Sequence, residues 1–179
     1  MKQKNISTGV QFGLILGLIY CVLLFWRWSN VTNLFMIGIT SLTGYLIIIG
    51  LLFWEAAARK KTAGGFIDIK NLFQTLFISV LIFELFYSVY NYIHFSYIDT
   101  HIVDKMKVAV NAAFEKAGNQ VSEDRKTEAL SNLEQYNNYT DILKIIRGYF
   151  ISVAVSGIIA ILVALIMRKN RPEFEEHTQ

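Results

Sequence analysis

Four long apolar stretches alternate with polar segments along the chain, and this alternation is the strongest pattern in the sequence. An apolar helix of about 20 residues crosses the roughly 30 Å hydrocarbon core of a bilayer, since each residue adds about 1.5 Å. The stretches cover residues 9–26, 34–54, 72–92 and 147–167. The pattern therefore predicts an all-α integral membrane protein with four transmembrane helices in a single membrane domain over residues 1–179.

Composition supports this class and excludes others. The 179 residues are 54% hydrophobic and 17% charged, whereas soluble domains usually carry about 25% charged residues. The net charge of +3 is too small to indicate binding to nucleic acid. The chain has one cysteine, Cys21, so an intrachain disulfide is excluded.

Basic residues predict the orientation in the membrane. Lys2 and Lys4 precede the first stretch, a second basic group lies within residues 55–71, and Arg168 and Lys169 follow the last stretch. Segments rich in lysine and arginine stay in the cytoplasm. We therefore expect a multi-pass membrane protein with both termini cytoplasmic and with the long third connection outside.

The long connection, residues 94–146, has a helical pattern of its own. Apolar residues recur at every fourth position, which is typical of an amphipathic helix. They are Ile98, Ile102, Met106, Val110 and Phe114. Gly118 and Asn119 predict a helix end and a turn, and Ser122 is a candidate N-cap for a second helix. We expect an extracytoplasmic helical hairpin whose second arm continues into the fourth span, because neither proline nor glycine occurs between Ser122 and Gly148.

Glu84 is the one ionisable residue inside a predicted span. An acid near the middle of a bilayer costs roughly 2.5–3.5 kcal/mol on insertion scales. Tyr20, Thr43 and Ser156 lie at similar depth on the other three spans. Because burial disfavours a charged carboxyl, we expect a neutral Glu84 that faces inward and donates a hydrogen bond to one of these hydroxyls. The site is either a polar clamp between helices or a relay for protons or cations.

Small residues predict where the spans pack together, since lipid provides no hydrophobic drive for helix association. Two ladders with a spacing of four residues stand out, one on the first span and one on the fourth. They comprise Gly9, Gly13 and Gly17, and Ser152, Ser156, Ala160 and Ala164. We expect the first and fourth spans to contact each other through these faces. The same faces would also suit self-association into a homodimer.

No residue pattern indicates catalysis or a cofactor. The chain lacks a nucleophile elbow, an HExxH sequence, a phosphate-binding loop and a CxxC pair. His94, His101 and Asp104 lie near the expected outer surface, where solvated polar groups are a simpler interpretation than a metal site. We therefore expect a protein that is not an enzyme and that needs no metal or cofactor.

Several segments resemble a known family. They read GVQFGLILGLIY in the first span, ARKKTAGGFIDIKNLFQTLF around the second connection, FYSVYNYIHFSYID before the outer segment, and YFISVAVSGIIAILVALIMRKNRP at the last span. In their order and spacing they resemble the four-span bacterial membrane proteins of the DUF4199 type. The resemblance covers nearly the whole chain and implies an inner-membrane protein. It implies no activity and no functional residues.

Two functions remain open on the sequence. The first is a non-enzymatic accessory component that associates with a membrane or periplasmic protein through its outer hairpin. The alternative is a small proton- or ion-coupled transporter unit, dimeric because four spans barely enclose a pathway, with Glu84 as the relay. In both cases the four helices of the protein are surrounded by the lipid bilayer.

Overall fold

The computed structural model describes residues 2–117 and 122–169, which form six α-helices and no strand. Four helices are long: α1, α2, α3 and α6. A π-helical turn follows α3, and a 3₁₀ helix precedes α6. The bounds are α1 Lys2–Ser29, α2 Leu34–Thr62, α3 Ile69–Ile93, the π turn His94–Ile98, α4 Ile102–Ala117, α5 Glu123–Glu134, the 3₁₀ helix Gln135–Thr140 and α6 Ile142–Met167.

The four long helices confirm the predicted all-α membrane class. Each is long and apolar enough to cross a bilayer, and each contains one of the predicted spans. Apolar side chains on their outer faces are extensively exposed, among them Leu18, Val22 and Ile166. A helical, multi-pass membrane protein accounts for these faces, because lipid takes the place of water around them.

Helix α2 extends further than its apolar stretch. It continues past Trp54 to Thr62, because alanine, lysine and arginine are strong helix formers and no glycine interrupts them. The helix ends at Gly64 and Gly65, whose φ angles of 77° and 86° are in the left-handed region that glycine adopts readily. The amide of Gly65 donates to the carbonyl of Lys60 at 3.0 Å, which completes the C-cap.

The prediction that the outer segment continues unbroken into the last span is wrong. Helix α5 ends at Glu134, a 3₁₀ helix follows, and Asp141 is extended with φ −102° and ψ 115°. Local bonds favour the break, since Thr140 Oγ1 donates to the carbonyl of Asn137 at 2.8 Å. Asp141 then caps α6 by accepting from the amide of Leu143 at 2.9 Å.

The apolar stripe of the outer segment is buried along α4 but not before it. Ile102, Met106 and Val110 are buried, whereas Ile98 is 63% exposed because it lies in the π turn that redirects the chain. Ser122 has the extended backbone of an N-cap residue, without a side-chain bond to α5. The predicted turn at Gly118 and Asn119 lies outside the described residues.

The chain divides into two compact units, each with segments of all four long helices. The first unit contains the described residues within Met1–Gly17, Leu46–Glu84 and Ser152–Gln179. The second contains the described residues within Leu18–Tyr45 and Leu85–Ile151. We describe the polar groups of each unit separately.

In the first unit the glycine ladder of α1 packs against α3. A Cβ atom on Gly9 would lie 2.6 Å from the carbonyl oxygen of Thr75, and one on Gly13 would lie 3.0 Å from the Cα of Ser79. These glycines therefore serve a different helix pair from the predicted pair of first and fourth spans. The reason is that α3 has a small-residue ladder of its own, Thr75 and Ser79, which accepts the close approach. Gly17 is buried as well.

The ladder of α6 also lies within the first unit. Ala160 and Ala164 are fully buried, while Ser152 and Ser156 are half-buried. Gly157 lies on the same buried side, and a Cβ atom there would be 3.2 Å from the ring of Phe77 on α3. Helix α3 is thus the common partner of α1 and α6 in this unit.

Candidate intramembrane polar site

Glu84 lies on α3 in the first unit, and its side chain is buried. Ser156 Oγ, on α6, donates to Glu84 Oε1 at 2.5 Å. Two of the four residues singled out from the sequence are therefore in direct contact. Within the described residues, no lysine, arginine or histidine lies within 4.0 Å of this carboxyl group.

The other two residues of that set belong to the second unit. Tyr20 is buried there, with its ring 5.8 Å from the ring of Tyr87 and 3.1 Å from a Cβ atom built on Gly44. Thr43 is exposed on α2. The buried line on this part of α2 runs through Thr40, Gly44 and Ile48.

A second buried carboxyl group, Glu55, was not predicted as a site residue. It lies on the extended part of α2 and is fully buried in the first unit. Its Oε1 is 2.6 Å from Ser79 Oγ, on α3. Ser79 Oγ also lies 2.8 Å from the carbonyl oxygen of Gly9, on α1. The second carboxyl oxygen, Glu55 Oε2, is buried and has no hydrogen-bond partner among the described residues.

Arg59 follows one helical turn after Glu55 and is also buried. Its Nε donates to Asn5 Oδ1 at 2.8 Å, its Nη2 donates to the same oxygen, and its Nη1 donates to Thr62 Oγ1 at 3.2 Å. Asn5 in turn donates to Asn71 Oδ1 at 2.7 Å and to Gln74 Oε1 at 3.2 Å. The buried guanidinium group thus donates to amide and hydroxyl oxygens, and among the described residues no carboxylate lies within 4.0 Å of it.

This amide chain leads from Arg59 to the surface. Asn71 Nδ2 donates to Asp68 Oδ2 at 2.7 Å, and the amide of Asn71 donates to Asp68 Oδ1 at 2.7 Å. Asp68 is exposed and caps the start of α3. The positive charge of Arg59 is therefore connected to an exposed carboxylate through the side chains of Asn5 and Asn71.

The sequence contains a pattern that links Glu55 and Arg59, but neighbouring residues favour a different interpretation of it. Glu55 and Arg59 are four residues apart, so they share one face of any helix that continues beyond Trp54. The aromatic Trp54 suggested a membrane boundary, and basic residues beyond such a boundary usually reach solvent. Burial of Arg59 depends on Asn5, which is 54 residues away in the sequence.

The polar groups of the second unit are held by aromatic rings. Trp28 Nε1 donates to Asn91 Oδ1 at 3.0 Å, and Asn91 Nδ2 donates to the carbonyl of Tyr87 at 2.9 Å. The hydroxyls of Tyr87 and Tyr139 share a hydrogen bond of 2.7 Å. The ring of Trp28 also packs edge-on against Phe95 at a centroid distance of 5.1 Å.

His94 lies in this aromatic cluster and begins the π turn. Its ring is buried and stacks on Tyr90 at a centroid distance of 5.7 Å. His101 lies just before α4 and Asp104 lies on it, and both side chains are exposed. The distance between His101 Nδ1 and Asp104 Oδ2 is 3.7 Å. Within the described residues no group of three histidine, cysteine, aspartate or glutamate side chains could hold a metal ion.

Asp99 ends the π turn and pairs with α4. Lys105 Nζ donates to Asp99 Oδ2 at 2.6 Å, and the amide of His101 donates to Asp99 Oδ1 at 3.3 Å. Burial acts to raise the pKa of Asp99, but the bonds and the positive charge of Lys105 outweigh it, so this pKa lies below its ordinary value. The pair fixes the start of the outer segment.

Comparison with known proteins places the chain in a family. A family described as a protein of unknown function, DUF4199, matches residues 9–169, from the first glycine of α1 to two residues beyond α6. No curated protein and no solved structure matches the chain. The match extends over all four long helices and the outer segment, and the chain belongs to the DUF4199 family.

Proposed function

We propose that the protein is a non-enzymatic proton- or ion-coupled unit of a bacterial inner membrane, with Glu84 as the relay residue and both termini in the cytoplasm. The observation that supports this most directly is the buried carboxyl of Glu84 in a helix that can span a bilayer, held by the Ser156 hydroxyl at 2.5 Å. Ionisable residues in such helices commonly line paths for protons and ions.

A purely structural role would not require a carboxyl group. A serine, threonine or glutamine can clamp two helices through one hydrogen bond, at a lower cost of burial than an acid. What a carboxyl adds to the clamp is the ability to bind and release a proton. Since four helices barely enclose a path, the transporting form is a homodimer.

The test is proton flux into proteoliposomes that contain a pH-sensitive dye, driven by a potassium diffusion potential. Glu84→Gln should abolish flux and leave the fold intact, because the glutamine amide oxygen can still accept from Ser156. Glu134→Gln is the matched control, since Glu134 is an exposed acid on α5. Flux in Glu84→Gln at the wild-type rate would contradict the proposal.

Association through the outer segment is a second candidate function. The observation that favours it is the contrast between α4, with four buried residues, and α5, with none. A helix without buried residues gains little from its own fold and is available to a partner. The partner would be a membrane or periplasmic protein.

Photo-crosslinking in cells tests this second function. A crosslinking residue at Glu128, exposed on α5, should capture one discrete partner, whereas the same residue at buried Met106 on α4 should capture none. A product of twice the monomer mass would identify a second copy of the chain instead. Equal, diffuse labelling at both positions would argue against docking.

A further inference from the structure

The hydroxyl of Ser79 lies between two oxygen atoms in the first unit. Glu55 Oε1 is 2.6 Å away and the carbonyl oxygen of Gly9 is 2.8 Å away. Both distances are hydrogen-bond lengths for O–H donors. The three groups come from α2, α3 and α1, and Glu55 and Ser79 are both fully buried.

Counting hydrogens decides how these contacts are made. A serine hydroxyl carries one hydrogen, so it can donate to one of the two oxygens only. The carbonyl oxygen of Gly9 has no hydrogen to give. If Glu55 were ionised, one of the two contacts would bring two oxygen lone pairs together without a hydrogen between them. A protonated Glu55 removes the conflict, since it donates to Ser79 and Ser79 donates to Gly9.

We propose that Glu55 is a proton-binding site, in which its carboxylic O–H donates to Ser79 Oγ and Ser79 Oγ donates to the carbonyl oxygen of Gly9. The ligand of this site is a single exchangeable proton. As a step in transmembrane proton movement it rests on the proposed function, whereas the protonated state of Glu55 does not.

The second oxygen of Glu55 supports the same conclusion independently. Glu55 Oε2 is buried and accepts no hydrogen bond from any described residue. In an ionised carboxylate this oxygen would carry part of a buried negative charge without a donor, which is far more costly than an unpaired carbonyl oxygen of a neutral acid.

The charged groups near the site are arranged for proton release. Arg59 lies one turn along α2 and bonds to Asn5 and Thr62, and no carboxylate of a described residue lies within 4.0 Å of it. The other acids of this unit among the described residues are Glu84, five residues beyond Ser79 on α3, and Asp68, which bonds to Asn71. A Glu55 that loses its proton therefore has a positive charge one turn away to neutralise it.

Infrared spectroscopy of the full chain in nanodiscs tests the site at neutral pH. The protonated-carboxyl absorption of the wild type should contain a component that is lost in Glu55→Gln and retained in Glu84→Gln. Ser79→Ala should shift the band to higher frequency because the acid loses its acceptor, whereas Ser79→Thr keeps the hydroxyl and should not. A Glu55 signal found only among carboxylate bands, or a band unmoved in Ser79→Ala, would overturn the proposal.

Chemical labelling of the wild type gives a second test that needs no folded variant. A hydrophobic carbodiimide reacts with a protonated carboxyl by adding its O–H across the C=N bond, and the adduct rearranges to a stable N-acylurea without a leaving group. Mass spectrometry should locate the adduct on Glu55 at neutral pH. The control is the set of exposed carboxyl groups in the same sample. The proposal would be contradicted if Glu55 were modified no more than these groups although the reagent is shown to enter the nanodisc.

The two proposals fail separately. A protonated Glu55 in a protein without proton flux would retain the proton site and reject the transport function. Flux that depends on Glu84, together with an ionised Glu55, would retain transport and reject the proton site.

Discussion

The two units bury polar groups by different means. In the first unit, non-aromatic polar side chains bond directly to one another and to backbone: Glu55 to Ser79, Ser79 to Gly9, and Arg59 to Asn5. In the second unit, several hydrogen bonds of buried or half-buried groups involve large aromatic side chains. The Trp28 indole donates to Asn91, and two tyrosine hydroxyls bond to each other.

Close backbone approach explains the first arrangement. With hydrogen as its side chain, Gly9 lets α1 approach α3 so closely that a Cβ atom would lie 2.6 Å from the carbonyl of Thr75. Only at such a crossing can a serine on one helix reach a backbone carbonyl on the other. The proton site at Glu55 therefore depends on a residue without a side chain.

Ring area explains the second arrangement. Trp28 is 2% exposed and packs against Phe95 and Tyr136 at centroid distances of 5.1 and 5.9 Å. Rings of this size stabilise by burial and carry one polar atom that needs one partner. We therefore expect the stability of the first unit to fall when a side chain gains volume at the helix crossing. The stability of the second unit should fall when a hydrogen bond or buried ring area is removed.

The largest effect is expected at the α1–α3 crossing. Gly9→Ala places a Cβ against a backbone oxygen that cannot rotate away, so the variant should lose about 3 kcal/mol of stability, the upper end of the usual range for overpacking. Gly50→Ala is the control, because nothing lies within 4 Å of its Cβ position and it has the same gain in helix propensity. Unfolding in detergent measures both, and equal stability of the two variants would contradict the account.

A smaller effect is expected in the aromatic cluster of the second unit. Trp28→Phe removes the donor to Asn91 Oδ1 and leaves a buried acceptor unpaired, which should cost about 2 kcal/mol. Trp26→Phe is the control, since Trp26 is exposed. Adding Asn91→Leu to Trp28→Phe should recover part of the loss, because both polar partners are then gone. No recovery would indicate that ring area alone matters.

The contrast between the units also explains which features could be predicted from sequence. The contact of Glu84 with Ser156 followed from depth in the bilayer, which depends only on residue count along each span. Glu55 was missed because its burial depends on where α2 ends and on partners from α1 and α3. Those partners, Gly9 and Ser79, are 46 and 24 residues away in sequence, and no local pattern connects them.

The break before α6 was unpredictable for a different reason. Residues 135–141 contain neither proline nor glycine, so helix propensity alone allowed a continuous helix. Asparagine, threonine and aspartate instead bond to nearby backbone and compete with the helix. The rings of Tyr136 and Tyr139 pack on the ring of Phe95 at centroid distances of 6.2 and 5.1 Å. This packing stabilises the chain where the helix is interrupted.

A third prediction concerns pH and the start of the outer segment. The pKa of Asp99 is lowered in the folded protein, so its pair with Lys105 contributes stability above the unfolded pKa of about 3.9 and loses it as pH falls through the lower folded value. Because both groups are partly exposed, we expect less than about 1 kcal/mol.

Thermal unfolding between neutral pH and pH of about 3 measures this contribution. Asp99→Asn should flatten the acid side of the profile, whereas Asp104→Asn should leave it unchanged, since the Asp104 side chain is 74% exposed. An unchanged acid profile in Asp99→Asn would show that the pair with Lys105 adds nothing to the second unit.

The smallest effect is expected between α4 and α5, and it tests whether a further ion pair contributes to the second unit. Lys107 Nζ lies 3.2 Å from Glu134 Oε1, and the Glu134 side chain is 66% exposed. An exposed ion pair of this kind contributes about 0.2–1 kcal/mol and weakens as salt is added. A double-mutant cycle with Lys107→Ala and Glu134→Ala should therefore give a coupling in that range that shrinks at high ionic strength. A larger coupling that salt does not reduce would mean that this ion pair holds α5 to α4. The outer segment would then depend on charge, unlike the aromatic cluster of the same unit, which depends on ring packing.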